Sequence, residues 1–239
     1  MISDTHLRHR RYPIDVPKCD LLIHSGDACI KGEFDEVLAF FEWFEGLPAT
    51  RKVFVAGNHD WLFEKDPATA RKLVPSTVTY LQDELAEIDG LKIYGSPWQP
   101  EFCEWAFNLK RGWPLRKKWE AVPAGIDILV THGPPLGILD FSHFGNEHAG
   151  CADLRQELNR IKPKIHCFGH IHGAYGTTIW ANTLFVNASL CDESYVANHP
   201  PIVVEMEPGK DPVLLPGPGI APPRKDALPI RSTTRPLWE

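Results

Sequence analysis

Five short polar motifs in this sequence carry the residue types that bind metal ions. Asp4-Thr5-His6 comes first, then Gly26-Asp27, Gly57-Asn58-His59-Asp60, His132-Gly133 and Gly169-His170-Ile171-His172. Each alone is a weak signal, because a lone histidine is more often solvated or packed in a core than a ligand. Together, in order and after apolar runs, they point to one shared metal site. Imidazole and carboxylate donors without thiolate suit manganese, iron, zinc, cobalt or nickel rather than calcium. The carboxylate of Asp27 has two oxygens and can bridge two ions about 3.5–4 Å apart, the usual spacing in two-metal hydrolases. In an extended chain residues i and i+2 share a face, so Asp4 and His6 are expected to grip one ion, and His170 and His172 a shared cluster. The glycines at 26, 57, 133 and 169 stand where the backbone must turn without a Cβ clash.

Such motifs need a scaffold that brings them to one edge. Residues 20–24 (DLLIH), 52–56 (KVFVA), 126–131 (IDILVT) and 164–168 (KIHCF) read as buried strands, with 77–81 and 91–94 as further strands around Gly90. Phe34, Val37, Leu38, Phe41 and Phe44 fall at helical spacing over 33–44, and residues 67–73 suggest a second helix. A third covers 151–161, with Leu154, Leu158 and Ile161 on one face, and the last third turns β-rich at 177–180, 184–187 and 202–205. Alternation followed by consecutive strands predicts an α/β domain with a mixed sheet, two packed sheets flanked by helices. In such sheets ligands gather outside the carboxyl ends of the strands, where these motifs lie. From Pro208 onward prolines recur with few other signals, so residues 1–207 are expected to form the domain and 208–239 an extended tail, wrapped on it or partly disordered.

A chain of 239 residues suffices for one large α/β domain. A net charge of −6 argues against tracking a long nucleic-acid backbone, which normally needs a basic stripe. It does not argue against a small anionic substrate, because bound cations invert the local field. The six cysteines are scattered without a C-x-x-C pair and read as reduced, mostly buried thiols. No apolar run reaches membrane-spanning length and no signal peptide is read, so no membrane contact is expected and the expected location is cytoplasmic.

The order D-x-H, G-D, G-N-H-D, H-G, G-H-x-H resembles the calcineurin-like metallophosphoesterases and spans Asp4 to His172. More narrowly, YGSPWQP at 94–100, FNL at 107–109, GIDILVTHGPPLGILD at 125–140, residues 168–176 and VNAS at 186–189 resemble the metallophosphoesterase-domain proteins first noted in vertebrate brain. The resemblance implies a four-layer αββα sandwich of two mixed β-sheets flanked by helices, with a dinuclear site at the sheet edge. It implies two divalent ions, manganese first, with iron, zinc, cobalt, nickel or magnesium as alternatives. Asp4, His6, Asp27 and His172 would hold one, and Asp27, Asn58, His132 and His170 the other. It further implies that His59 faces the substrate phosphate without binding metal, with Asp60 positioning it, so that both count as catalytic. One departure stands out: only Met1, Ile2 and Ser3 precede Asp4, where the family carries a full strand. Either that strand is shortened or the natural start lies upstream, and so short a strand is expected to hold Asp4 and His6 loosely and leave the first ion labile.

The expected reaction is hydrolysis of small phosphodiesters or phosphomonoesters, nucleotides or cyclic nucleotides among them, by a water activated between two cations. His59 would act as general acid, a role typically worth about 10²–10⁴-fold. Asp60 has a second expected role as N-cap of a helix beginning near Trp61. Asn58 and His59 are also expected to touch substrate. Trp98, Phe102 and Trp105 could stack on it, although core packing is favoured for them, and Asn187 at a strand end could contact it. Loop 141–150, with His143 and His148, could act as a lid, its histidines being simply solvated; His9, His24, His166 and His199 receive no role. The rival reading is a catalytically weak nucleotide-binding or scaffolding protein that keeps the fold, which loss of a ligand would signal, and none of the seven is missing. An exonuclease or protein phosphatase is less favoured. A metallo-β-lactamase-type hydrolase would need an H-x-H-x-D-H run, and a TIM-barrel amidohydrolase would open with H-x-H. Oligomeric state is not readable.

Overall fold

The computed structural model describes residues 1–217. Its elements run β1 Cys19–His24, α1 Phe34–Glu45, β2 Ala49–Phe54, α2 Leu62–Lys65, α3 Pro67–Leu73, β3 Val78–Tyr80, β4 Glu84–Ile88 and β5 Leu91–Ser96. They continue with β6 Gln99–Pro100, β7 Asn108–Leu109, α4 Trp113–Glu120, β8 Ile128–Thr131, β9 Phe141–Ser142, β10 Glu147–His148 and α5 Ala152–Ile161. The last are β11 Ile165–Phe168, β12 Gly176–Trp180, β13 Thr183–Asn187, β14 Val204–Glu205 and β15 Val213–Leu214.

Local chemistry sets several boundaries. Asp66 caps α3, accepting from the Thr69 N–H at 3.1 Å, and Pro67 supplies a first helical residue that needs no donor. Asp89 and Gly90, at φ 50° and 81°, make the tight turn joining β4 to β5. The α4 helix and strand β4 were not foreseen. The first opens on Gly112, Trp113 and Pro114, and the second has no buried residue to mark it.

β1, β2 and β3 form a sheet that is parallel throughout. The second sheet has the order β12-β13-β11-β8-β5-β4; its inner four strands are parallel and its two edges antiparallel, so it is mixed. Side-chain alternation sorts the strands into three apolar layers. Between the sheets lie Ile23, Val53, Ile93, Val130, Cys167 and Val186. Leu22 and Phe54 face the other way, onto Val37, Phe40, Phe41 and Phe44 of α1. Leu129, Phe168 and Phe185 face Leu115 and Trp119 of α4 and Leu154 and Leu158 of α5. Helices, sheet, sheet, helices: this is the expected four-layer sandwich, each fully buried side chain contributing about 1.5–3 kcal/mol.

The segment before Asp4 is not loosely held. The Ile2 N–H donates to the Ile23 carbonyl at 2.9 Å, and the Ser25 N–H donates back to the Ile2 carbonyl at 3.0 Å. On its other side the Leu190 N–H donates to the Ser3 carbonyl at 2.9 Å. Ile2 and Ser3, fully buried, thus sit as a short parallel bridge between β1 and the chain leaving β13. The first part of the expected tail returns along the domain, β15 pairing antiparallel with β14, while residues 218–239 lie outside the described residues.

Candidate metal centre

The parallel strands deliver their carboxyl ends to one edge. Asp27 follows β1, Asn58 and His59 follow β2, His132 follows β8 and His170 follows β11. Asp4 and His6 run alongside the Asp27 loop, the Asp4 N–H donating to Gly26 O at 2.9 Å and the His6 N–H to Asp27 O at 3.0 Å. The extended-chain argument for Asp4 and His6 fails here. Asp4, His6, Asp27 and His170 all have positive φ, at 52°, 40°, 56° and 70°. These side chains converge through left-handed turns, a strained geometry that functional sites retain when their surroundings enforce it.

Three overlapping groups result, in each of which the candidate ligand atoms lie within 4.8 Å of one another: Asp4, His6 and His172; His6, Asp27 and His59; Asp27, His132 and His170. Asp27 is common to the last two. Its Oδ1 lies 3.2 Å from His132 Nε2 and its Oδ2 lies 3.8 Å from His6 Nε2. Asn58 Oδ1 lies 2.9 Å from His132 Nε2. The seven residues read from the sequence are therefore brought together, and His59 stands beside them.

The rings share one orientation. Nδ1 of His6, His132 and His172 faces the carbonyls of Cys29, Ser25 and Asp192 at 3.1, 3.0 and 2.9 Å. A carbonyl only accepts, so each Nδ1 carries a proton and each Nε2 turns inward, offering a lone pair whenever the ring is neutral. Nε2 of His6 and Nε2 of His172 lie 3.3 Å apart. Two lone pairs at that distance repel, and a proton or a metal cation between them relieves the repulsion, so the donor set fits metal ions.

Charge tells the same story. Burial opposes the charge on Asp4, yet the hydrogen bond and charge of His172 hold its carboxyl below the usual range. Burial likewise opposes the charge on Asp27, and His132 and His59 pull it well down. Burial also disfavours a charged His132, but Asp27 pushes it up to about 9. His6 and His170 go down to about 4 and about 3, by burial first. Burial opposes a charged His172 too, but the hydrogen bond and charge of Asp4 push it up, so without metal these two rings do in part what cations would do fully.

His59 and Asp60 are not arranged as expected. His59 Nδ1 donates to the Ile30 carbonyl at 2.6 Å, not to Asp60, and its Nε2 lies 3.9 Å from Asp27 Oδ2. Asp60 is fully buried and accepts from the N–H groups of Gly57, Cys29 and Ala28 at 2.8, 2.9 and 3.3 Å. It ties the Asp27 loop to the Asn58 loop. Burial and the nearby Asp27 charge push its pKa up to about 6. It does not cap α2 either, which has no side-chain cap.

Asn187 and Trp98, expected near substrate, have other partners. The Asn187 amide donates to the Ile171 carbonyl at 2.9 Å, and its Oδ1 accepts from the Ser189 N–H at 3.2 Å. Trp98 donates to Asp83 at 2.9 Å, lies under Lys118 Nζ at 4.3 Å and edges Phe107. Phe102 and Trp105 do reach the centre: Phe102 edges His170 at 5.0 Å and Trp105 lies 4.2 Å from His59, ring centre to ring centre. Loop 141–150 is a hairpin of β9 and β10, with His148 bonded to Asp140 at 2.7 Å. Sequence reasoning missed Ser189, whose Oγ donates to Asp4 Oδ2 at 2.9 Å, and Tyr195, whose ring packs on His6 and His172. The serine had a signal, a polar run closing β13; the tyrosine had none.

The fold and the site define a metal-dependent phosphoesterase architecture. The profile of the Calcineurin-like phosphoesterase family matches residues 2–174, and the chain belongs to that family, whose members use divalent metals. It is 41% identical over 228 residues to human Metallophosphoesterase domain-containing protein 1, covering 86% of this chain and 69% of that protein. It is 38% identical over 229 residues to a UPF0046 protein of Caenorhabditis elegans, covering 87% of this chain and 81% of that one. A solved structure superposes with a TM-score of 0.58 at 16% identity, over 78% of this chain and 88% of the other, a likeness of fold. Among the described residues, no helix is long and apolar enough to cross a membrane.

Proposed function

We propose that the chain hydrolyses small phosphate esters, diesters or monoesters and nucleotides among them, at a centre for two divalent ions, manganese first. The observation that carries this reading is the inward convergence of the Nε2 atoms of His6, His132 and His172 on the carboxylates of Asp4 and Asp27, with every Nδ1 tied to a carbonyl. Asp4, His6, Asp27 and His172 would hold one ion; Asp27, Asn58, His132 and His170 the other. Bound there, the ions would neutralise phosphate oxygens and supply an ionised water near neutral pH.

The protein's own part falls to His59. Its Nδ1 proton is committed to Ile30, so the proton given to the departing alcohol oxygen would leave from Nε2 of the doubly protonated ring, the nitrogen facing Asp27, leaving a neutral ring with its Nδ1–H in place. Trp105 against the ring keeps it from rotating. Asp60 supports this arrangement through the backbone, and Asn187 and Trp98 are read as braces rather than substrate contacts. A net charge of −6 favours a small ester over a long nucleic acid, and six free cysteines suit a reducing, cytoplasmic setting. The test is a panel of phosphomonoesters, linear diesters, cyclic nucleotides and phosphonate esters, run with each metal after chelation. Turnover that returns with metal supports the reading. Tight nucleotide binding without turnover under any metal would replace it with the binding-protein alternative.

A further inference from the structure

We propose that Arg8 and Tyr195 form a subsite for a second anionic group on the substrate, a carboxylate or phosphate borne by the alcohol about one ring's breadth from the scissile phosphorus. This rests on the phosphoesterase reading and adds a specificity determinant to it.

Arg8 stands two residues after His6, in a 3₁₀ turn. Its Nε is buried without a hydrogen-bond partner, and no ion pair engages its guanidinium among the described residues. Several other arginines are committed: Arg71 to Glu84, Arg160 to Glu157, Arg111 to the carbonyls of Ala149 and Gly150; Arg155, whose Nε is likewise unpartnered, lies over the Trp180 ring at 3.4 Å. A guanidinium partly withdrawn from water and left unpaired is poised for a planar oxyanion, which it can hold with two parallel hydrogen bonds.

Its neighbour connects it to the metal centre. The Arg8 guanidinium carbon lies 5.9 Å from the Tyr195 ring centre, and that ring lies 4.9 Å from His6 and 5.0 Å from His172. Tyr195 has φ 58°, an unfavourable value for an aromatic residue. It is held there by Asp192, whose Oδ1 accepts from the N–H groups of Ser194 and Val196 at 2.8 and 3.0 Å. The carbonyl of the same Asp192 fixes His172 Nδ1. One loop therefore orients a ligand histidine and lays an aromatic ring from the centre to an unpaired cation, with the Tyr195 hydroxyl free of protein partners among the described residues. An ester with a single phosphate leaves Arg8 unused; one with a second anion engages it.

The test uses equilibrium binding of non-hydrolysable probes to the manganese-loaded chain, followed by calorimetry. Phenylphosphonate reports the centre alone, and 4-carboxyphenylphosphonate adds a carboxylate across one ring. The expected result is a preference for the carboxylated probe of about tenfold or more, the effect of one charge-assisted pair. Arg8→Gln should erase that preference and Arg8→Lys should restore part of it, with manganese content checked in each. Equal affinity of wild-type protein for the two probes, or a preference that survives Arg8→Gln, would overturn the proposal. Because the readout is binding, a chain that binds phenylphosphonate but turns over no ester would refute the hydrolase reading and leave this comparison intact.

Discussion

Histidine tautomers organise the site at the scale of single residues. Fixing Nδ1–H on a carbonyl costs the ring its rotational freedom and leaves one nitrogen for chemistry. At His6, His132 and His172 that nitrogen faces carboxylates and other imidazoles; at His59 it also faces a carboxylate, Asp27, but the side chain keeps 12% of its surface exposed. His59→Asn is therefore predicted to lower kcat by about 10²–10⁴-fold with metal content unchanged. The loss should shrink for a 4-nitrophenyl ester, whose leaving group needs no proton; an equal loss for alkyl and nitrophenyl esters would show that His59 is not the acid. The candidate ligand residues were legible in the sequence because their types are scarce and their motifs follow apolar runs. The tether from His59 to Ile30 and the backbone ties of Asp60 were not, because a side chain's choice among nearby carbonyls and N–H groups depends on how two distant loops meet.

Elements act by bringing loops closer than most side chains permit. Gly169 lies so near the first motif that a Cβ there would run into Asp4 Oδ2 and Ser3 Oγ. Gly169→Ala is predicted to displace Asp4 and lower the metal content from two ions toward one, read by metal analysis of dialysed protein; retention of two ions would show that the loop can give way. Asn187 braces the same region through Ile171 and Ser189, so Asn187→Ala should cost about 1–3 kcal/mol, seen as a lower urea midpoint. Strands and helices with strong apolar periodicity were readable to within a few residues, as α1 and α5 show. Met1–Ser3 was not, because its firmness comes from hydrogen bonds to β1 on one side and to the chain after β13 on the other. Nor was the left-handed backbone at Asp4 and His6, which local preference alone opposes.

Across the whole molecule, the three apolar layers impose a pH dependence through histidines that the site does not use. His24 sits among Phe40, Phe44 and Phe54, and His166 among Phe168 and Phe185; burial pushes both down to about 3. Their folded values lie below the ordinary value of about 6.5, so the unfolded chain binds more protons as pH falls. Their contribution to stability is complete above about pH 6.5 and is lost as pH falls toward 3, at about 1.4 kcal/mol per pH unit for each. Urea unfolding of chelated protein should show stability falling from pH 6.5 to 5, with the slope reduced by about 1.4 kcal/mol per unit in His166→Gln. An unchanged slope would mean that His166 takes up its proton in the folded state. The four-layer plan was legible from alternating elements and from the order of the motifs, whereas the histidines in its core were not, since a histidine in a strand reads the same whether its neighbours are water or phenylalanine.

The central claim is that the protein works as a two-metal phosphoesterase centred on Asp27. Its most direct test counts metal and turnover on one sample: chain stripped with chelator, reconstituted with manganese, dialysed, then assayed with bis(4-nitrophenyl) phosphate beside Asp27→Ala. The predicted result is two ions per chain and hydrolysis in the wild-type protein, with both lost together when Asp27 is removed. Fewer than about one ion per wild-type chain, or hydrolysis that survives both chelation and loss of Asp27, would contradict it.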